Sequence, residues 1–348
     1  MKAPSARELA VNPEWIPHAI EESGECLTSV YVPVASRKDL VFLTDGQLRG
    51  AYPKASALLD SVRAEAQAAL EAPLHFIFHS SFCCSTLLAK ALERPGTSTS
   101  LSEPNILVNL AEQAERGAIA AEGMLDLALR LLARPAQAGE TVIVKPSSFA
   151  NRLIGPVLDL RARSRGILLY SSARTFLSSV VRRGLLGRIN ARRLYRSLIS
   201  GSTLDFGFSA AETFEQTDLQ IAALAWLMQI ALFDELSGRY GQDRLLLLDA
   251  ADLLADPAGE LERVQSFFGL GFTGEQIGGI VDGPVFSRHS KNSAQDYDPK
   301  VRERDLEALV EVHSDELGMV LQWLEAVAGH MNVPLRPRLQ GRAGALAR

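Results

Sequence analysis

Three stretches of this chain carry residues able to hold charge or move a proton, and each of them follows a run that reads as a buried strand. The first is Leu74 to Lys90, LHFIFHSSFCCSTLLAK. It divides into an apolar strand over Leu74 to Phe78, a loop of small polar residues and a helix from about Thr86. A strand that enters a helix through such a loop aims backbone N–H groups and the positive end of the helix dipole at one point, which suits an anion. The loop, HSSFCCST, lacks the glycines and the lysine of the phosphate-binding pattern G-x-x-x-x-G-K-[ST], so it reads equally as a serine-capped turn. The second stretch is Thr141 to Val144, a strand that ends in Lys145-Pro146-Ser147-Ser148. The third is Gly166 to Tyr170, GILLY, followed by SSARTFLSSVVRRG with Arg174 and Ser179.

The elements that must position these residues alternate strand and helix. That order predicts an α/β fold with a doubly wound, mostly parallel sheet and a P-loop-like strand–loop–helix. Ligands of such sheets bind outside the carboxyl ends of the strands. His79 to Ser85, Lys145 and Ser171 to Ser179 all lie just past those ends and are expected to share one crevice. A fourth strand is expected at Arg244 to Leu248, and a last helix from about Pro299 to Gly329. Residues 1–70 read as a small appendage. It has strand-like runs at Leu27 to Val34 and Asp39 to Thr44, then an alanine-rich helix at Ser56 to Ala72. The main domain is then 71–333, and the basic tail 334–348, rich in Arg, Pro and Gly, is expected to be disordered.

Formal net charge is −5, which argues against a nucleic-acid binder. Cys26, Cys83 and Cys84 are too few and too poorly spaced for a disulfide framework, and no C-x-x-C or histidine cluster suggests a metal. The first residues, MKAPSARELAVNPEW, have no apolar core of a signal peptide, and the most apolar run, Ile221 to Phe233, is short for a membrane span. The expected location is the cytoplasm. Charge is unevenly spread: no acidic residue lies between Asp159 and Asp205, a segment holding Arg161, Arg163, Arg165, Arg174, Arg182, Arg183, Arg188, Arg192, Arg193 and Arg196. A guanidinium fork suits phosphate and sulfate oxygens. Arg174, one turn past the GILLY strand, is the best placed for an anion; most of the others read as a solvated or paired helix face.

Taken together, the chain resembles the sulfotransferase family, whose members transfer a sulfuryl group from 3′-phosphoadenosine-5′-phosphosulfate (PAPS). FIFHSSFCCSTLLAKAL is similar to the family's 5′-phosphosulfate loop, and SEP, ending at Pro104, to a short acidic motif. ILLYSSARTFLSS occupies the place of the 3′-phosphate motif. LLLLDAADLLADPAGELERVQSFFGL resembles a strand and amphipathic helix of the family, and FSRHSKN a late basic loop. The resemblance covers residues 74 to about 300 in the family's order. It departs at Phe82, where the family carries Lys or Arg, at Cys84, where it carries Gly, and at Ser171, where it carries the first Arg of the 3′ motif.

The resemblance implies a role for each of these residues. Lys145 would be the cation beside the leaving oxygen, Glu103 the general base, and His79 a donor standing in for the absent loop cation. Ser80, Ser81, Phe82, Cys83, Cys84, Ser85 and Thr86 would hold the 5′ phosphosulfate. Arg174 and Ser179, with Arg288, His289 and Lys291, would hold the 3′ phosphate. Such an enzyme takes an adenine nucleotide and a small-molecule or peptide acceptor, needs no metal, and often forms homodimers. The strand–loop–helix is also compatible with a kinase-like phosphotransferase, or with a non-catalytic binding module.

Overall fold

The computed structural model describes residues 3–67, 69, 71–116, 121–200, 202, 204–287 and 311–338. Strands β1 (Trp15–Ile20), β2 (Cys26–Tyr31) and β3 (Lys54–Leu58) form an antiparallel sheet. Strands β4 (Leu74–His79), β5 (Ser98–Ser102), β6 (Thr141–Lys145), β7 (Gly166–Tyr170) and β8 (Leu245–Asp249) form a mostly parallel sheet flanked by helices, in the order β5-β6-β4-β7-β8. Every residue of β4 and β7 is buried, as central strands covered on both faces require, and this explains their unbroken apolar runs.

The chain divides into two compact units. The described residues of the first fall in 3–78, 85–167 and 256–287, and those of the second in 79–84, 168–255 and 311–338. In the first unit the entry to β1 is tied down through Arg134. Its guanidinium is 4% exposed and donates to the carbonyls of Leu131, Leu9, Asn12 and Trp15 at 2.6 to 3.0 Å. Burial pushes this group down to about 9, so it stays charged at neutral pH among carbonyl dipoles.

His75, inside β4, is stacked on Phe268 at 4.9 Å and accepts the Arg165 backbone N–H at Nδ1 (3.1 Å). Burial, together with the positive charge of Arg165, lowers this imidazole to about 4 from an ordinary 6.5. Between these values the unfolded chain takes up a proton that the folded ring refuses. The contribution of His75 is therefore complete above about pH 6.5 and is lost as the pH falls toward 4. We expect a loss of about 3 kcal/mol from this group over that interval. Urea unfolding at stepped pH should show it, and His75→Phe should flatten the slope.

In the second unit the helix Asp218–Tyr240 is the buried axis. It starts at a capping box, Thr217 with Gln220, and ends at Gly241, whose φ of 72° an L side chain rarely adopts. The helix runs ten residues beyond the apolar stretch Ile221 to Phe233, because polar caps and amphipathic ends continue it. At 23 residues it matches a membrane span in length and composition, and 78% of its most apolar window is buried inside the protein. Helices Ala173–Arg182, Gly184–Ile199 and Ser314–His330 pack on it.

Several boundaries differ from the sequence reading. Asp39 to Thr44 is not a strand. The segment leaves a 3-10 turn at Val34–Asp39, the Phe42 N–H is taken by the Gln47 side chain, and Leu43 alone bridges to Ser102 O (2.8 Å). The expected helix Ser56 to Ala72 is split, with β3 first and a helix only at Leu59–Ala66. The last helix is described over Ser314–His330, and the earlier part of its expected range lies outside the described residues. Strand β5, STSLS, has almost no apolar signal. Ser98 Oγ donates to Leu92 O, and Thr99 Oγ1 to the buried Glu140 carboxylate, each at 2.5 Å. These two bonds help a polar strand sit in a covered sheet, although Ser100 Oγ is buried without a partner.

Candidate active site

Within the first unit, parallel pairing of β5 with β6 sets Ser102 opposite Lys145 and so brings Glu103, the next residue, to the end of β6. Glu103 N–H donates to Lys145 O at 2.6 Å, and Lys145 Nζ donates to Glu103 Oε1 at 2.7 Å. Lys145 is fully buried and Glu103 is 17% exposed. The ammonium also lies 5.1 Å from the centroid of the Phe42 ring, a contact that supports a desolvated cation. Glu103 has φ 52°, a left-handed conformation uncommon for glutamate, and its backbone and side-chain bonds to Lys145 hold it there. A shielded ammonium–carboxylate pair of this kind can steady negative charge at one atom and receive a proton at another, with little weakening by water.

The residues that follow β4 belong to the second unit from His79 to Cys84. Ser81, Phe82 and Cys84 have φ of 66°, 51° and 60°, so the loop takes left-handed turns without a single glycine. Several bonds enforce this. Ser80 N–H donates to Leu169 O (3.0 Å), and Ser80 O accepts from Gln229 Nε2 (3.2 Å). Cys83 Sγ points at Leu169 O (3.4 Å). His79 is 5% exposed, and its Nδ1 accepts the Ser81 N–H at 3.1 Å, which assigns the ring proton to Nε2. Phe82 packs edge-on against Phe176 (5.4 Å) and carries the Arg183 guanidinium 5.1 Å from its ring centroid. Ser80 Oγ is buried with no hydrogen-bond partner. Ser85 and Thr86 open the helix Ser85–Ala91 in the first unit, both buried.

At the end of β7, Ser171 O accepts from Trp226 Nε1 (2.9 Å), and Ser171 Oγ is buried without a partner. Ser172 caps the helix Ala173–Arg182 by accepting the Thr175 N–H. Tyr170, Ser172 and Arg174 line a cavity of about 530 Å³ together with Asp249, Glu325 and Arg336, all in the second unit. This is a small-ligand volume, with two guanidinium groups for anions and two carboxylates able to accept from ribose or amine groups. Ser179 Oγ donates to Thr175 O (2.9 Å) one turn back in the same helix. Arg288, His289 and Lys291 lie outside the described residues.

Part of the arginine-rich segment is committed elsewhere. Arg161 pairs with Asp126 at 2.5 Å, Arg192 with Asp218 at 2.5 Å and Arg188 with Asp218 at 3.8 Å, while Arg165 donates to Phe267 O. Arg174 and Arg183 are exposed. The side chains that sequence reasoning did not single out are Phe42, Trp226, Gln229, Arg183 and Arg336. Each comes into place by packing between segments far apart in the chain, Phe42 within the first unit and the other four within the second, and none has a local motif.

No protein-family model matches the chain, and no curated protein matches it. Among solved structures, it is similar to the sulfotransferase domain from the curacin biosynthetic pathway (16% identity, TM-score 0.42, covering 70% of this chain and 98% of that one). It is similar also to sulfotransferase STF9 from Mycobacterium avium (11% identity, TM-score 0.42, covering 73% and 78%). A third similar structure is mouse sulfotransferase SULT7A1, complexed with PAP (15% identity, TM-score 0.38, covering 73% and 90%).

Proposed function

We propose that this protein transfers a sulfuryl group from PAPS to a hydroxyl or amine of a small-molecule or peptide acceptor. The observation that carries the reading is the Lys145–Glu103 pair, a fully buried ammonium held at 2.7 Å by a partly exposed carboxylate at neighbouring parallel strand ends. A purely structural lysine at a strand end would reach water along its stem; enclosing it takes charge out of water at a cost that function can justify.

In this reading an acceptor oxygen or nitrogen forms a new bond to sulfur while the bond from sulfur to the bridging oxygen breaks. Glu103 takes the acceptor's proton. Lys145 balances the charge left on the bridging oxygen, now part of the product's 5′ phosphate. Little covalent help is needed for such a transfer; placement and preset charge supply most of the barrier reduction. The 79–86 loop takes the 5′ phosphosulfate. Arg174 serves the 3′ phosphate, with Ser179 as a polar neighbour and Arg288, His289 and Lys291 adding positive charge. The cavity lined by Arg174 and Arg336 has the volume and the donors that an adenine nucleotide requires, which supports the fit.

The test is transfer of sulfur label from PAPS to a panel of phenols, alcohols, amines and tyrosine peptides. Transfer by the wild-type chain, lost in Lys145→Ala while the product nucleotide PAP still binds, is the expected outcome. Label transfer at an unchanged rate in that variant would reject the assignment. Nucleotide binding with no transfer to any acceptor would favour a binding module on the same fold.

A further inference from the structure

A nucleotide's 5′ phosphosulfate brings concentrated negative charge to the loop after β4, yet residues 79–86 include no lysine or arginine. The structure brings a cation to the 79–84 part of that loop from elsewhere in the second unit. The Arg183 guanidinium lies 5.1 Å from the centroid of the Phe82 ring, and Phe82 is braced edge-on by Phe176 at 5.4 Å. Phe82 holds φ 51°, a conformation a bulky side chain keeps only where its surroundings enforce it, and Phe176 and Arg183 are such surroundings. A guanidinium over an aromatic face is attracted by the ring and keeps its N–H donors, which lie in its own plane, available to oxygen ligands. Arg183 sits at the end of the helix Ala173–Arg182, the helix that also carries Arg174, and its side chain is exposed.

We infer that Arg183 supplies the positive charge of the 79–86 loop, with Phe82 as its platform, and recognises the 5′ phosphate end of the nucleotide. This rests on the donor reading above. It assigns the two ends of the nucleotide to Arg174, in the first turn of the helix Ala173–Arg182, for the 3′ phosphate and to Arg183, the C-cap of that helix, for the 5′ end.

Calorimetric titration of the full chain with PAP, 5′-AMP and 3′-AMP tests the assignment. Arg183→Ala is expected to weaken PAP and 5′-AMP by about tenfold and to leave 3′-AMP unchanged. Phe82→Leu, which keeps apolar volume but removes the ring face, should weaken the same two ligands about threefold. Phe82→Lys in the Arg183→Ala background should restore them, because the charge then comes from the loop itself. Unchanged PAP affinity in Arg183→Ala would overturn the inference while leaving the donor reading intact, and so would an equal loss for 3′-AMP. A folded wild-type protein that binds none of the three would remove both.

Discussion

Replacing Lys145 by methionine should lower stability by about 3 kcal/mol and slow sulfuryl transfer by about 10²- to 10³-fold. The ammonium is fully buried and its partner is 17% exposed, so the variant leaves a largely desolvated carboxylate without a counter-charge. Breaking such a pair from one side typically costs 3–5 kcal/mol, and the partial exposure of Glu103 places this case near the lower figure. The double variant Lys145→Met/Glu103→Gln removes both charges and should recover most of the lost stability, by the same physics that makes apolar replacements of buried pairs nearly neutral. It should not recover turnover, because the positive charge for the leaving oxygen is still missing; a loss of about 10²- to 10³-fold is the scale for one preset electrostatic group. Chemical denaturation of the two variants beside the wild type measures the first effect and label transfer the second. Stability unchanged in Lys145→Met would mean that the pair is open to water and weak.

Arg134→Met should be the most destabilising single change in the first unit, at about 4 kcal/mol. One guanidinium satisfies four backbone carbonyls, those of Leu9, Asn12, Trp15 and Leu131, and it is 4% exposed. Each buried carbonyl left without a donor costs about 1–3 kcal/mol, and the sum is less than additive because the chain near Leu9 to Trp15 can relax. Arg134→Lys should rescue only part of the loss, since one ammonium cannot reach donors set in a planar fork. Urea unfolding of both variants checks this. Hydrogen exchange should show the amides of β1 and β2 opening first, because Arg134 ties the entry to β1 to the residues just after the helix Ala121–Leu132.

Much of the larger sheet can be read directly from the chain. GILLY is β7 without a shift, and the Leu74 strand extends by only His79, because strands buried on both faces leave a plain apolar signature. The change from strand to loop to helix at Ser85 is equally visible in the small polar run before it. Strand β5 is invisible for the opposite reason. The Ser98 and Thr99 hydroxyls find partners in Leu92 O and Glu140 that no local pattern announces. Glu103 and Lys145 can be named from their motifs. Their direct ion pair depends on the β5–β6 register, and the Phe42 ring beside it on a segment that resembles a strand and is not one. The contact between Phe82 and Arg183 joins residues a hundred positions apart. Phe82 reads in the sequence as a lost loop cation, and only the packing of the second unit shows that an arginine accompanies it.

The most direct test of the account is titration of the purified protein with PAP, against AMP and ADP. Sulfuryl transfer from PAPS requires a site that demands the 3′ phosphate, a group that ordinary adenine-nucleotide enzymes ignore. Micromolar PAP binding is expected, with at least tenfold weaker binding of AMP and ADP and loss of that preference in Arg174→Ala. Equal affinity for all three nucleotides, or no binding by a cooperatively folded protein, would contradict it.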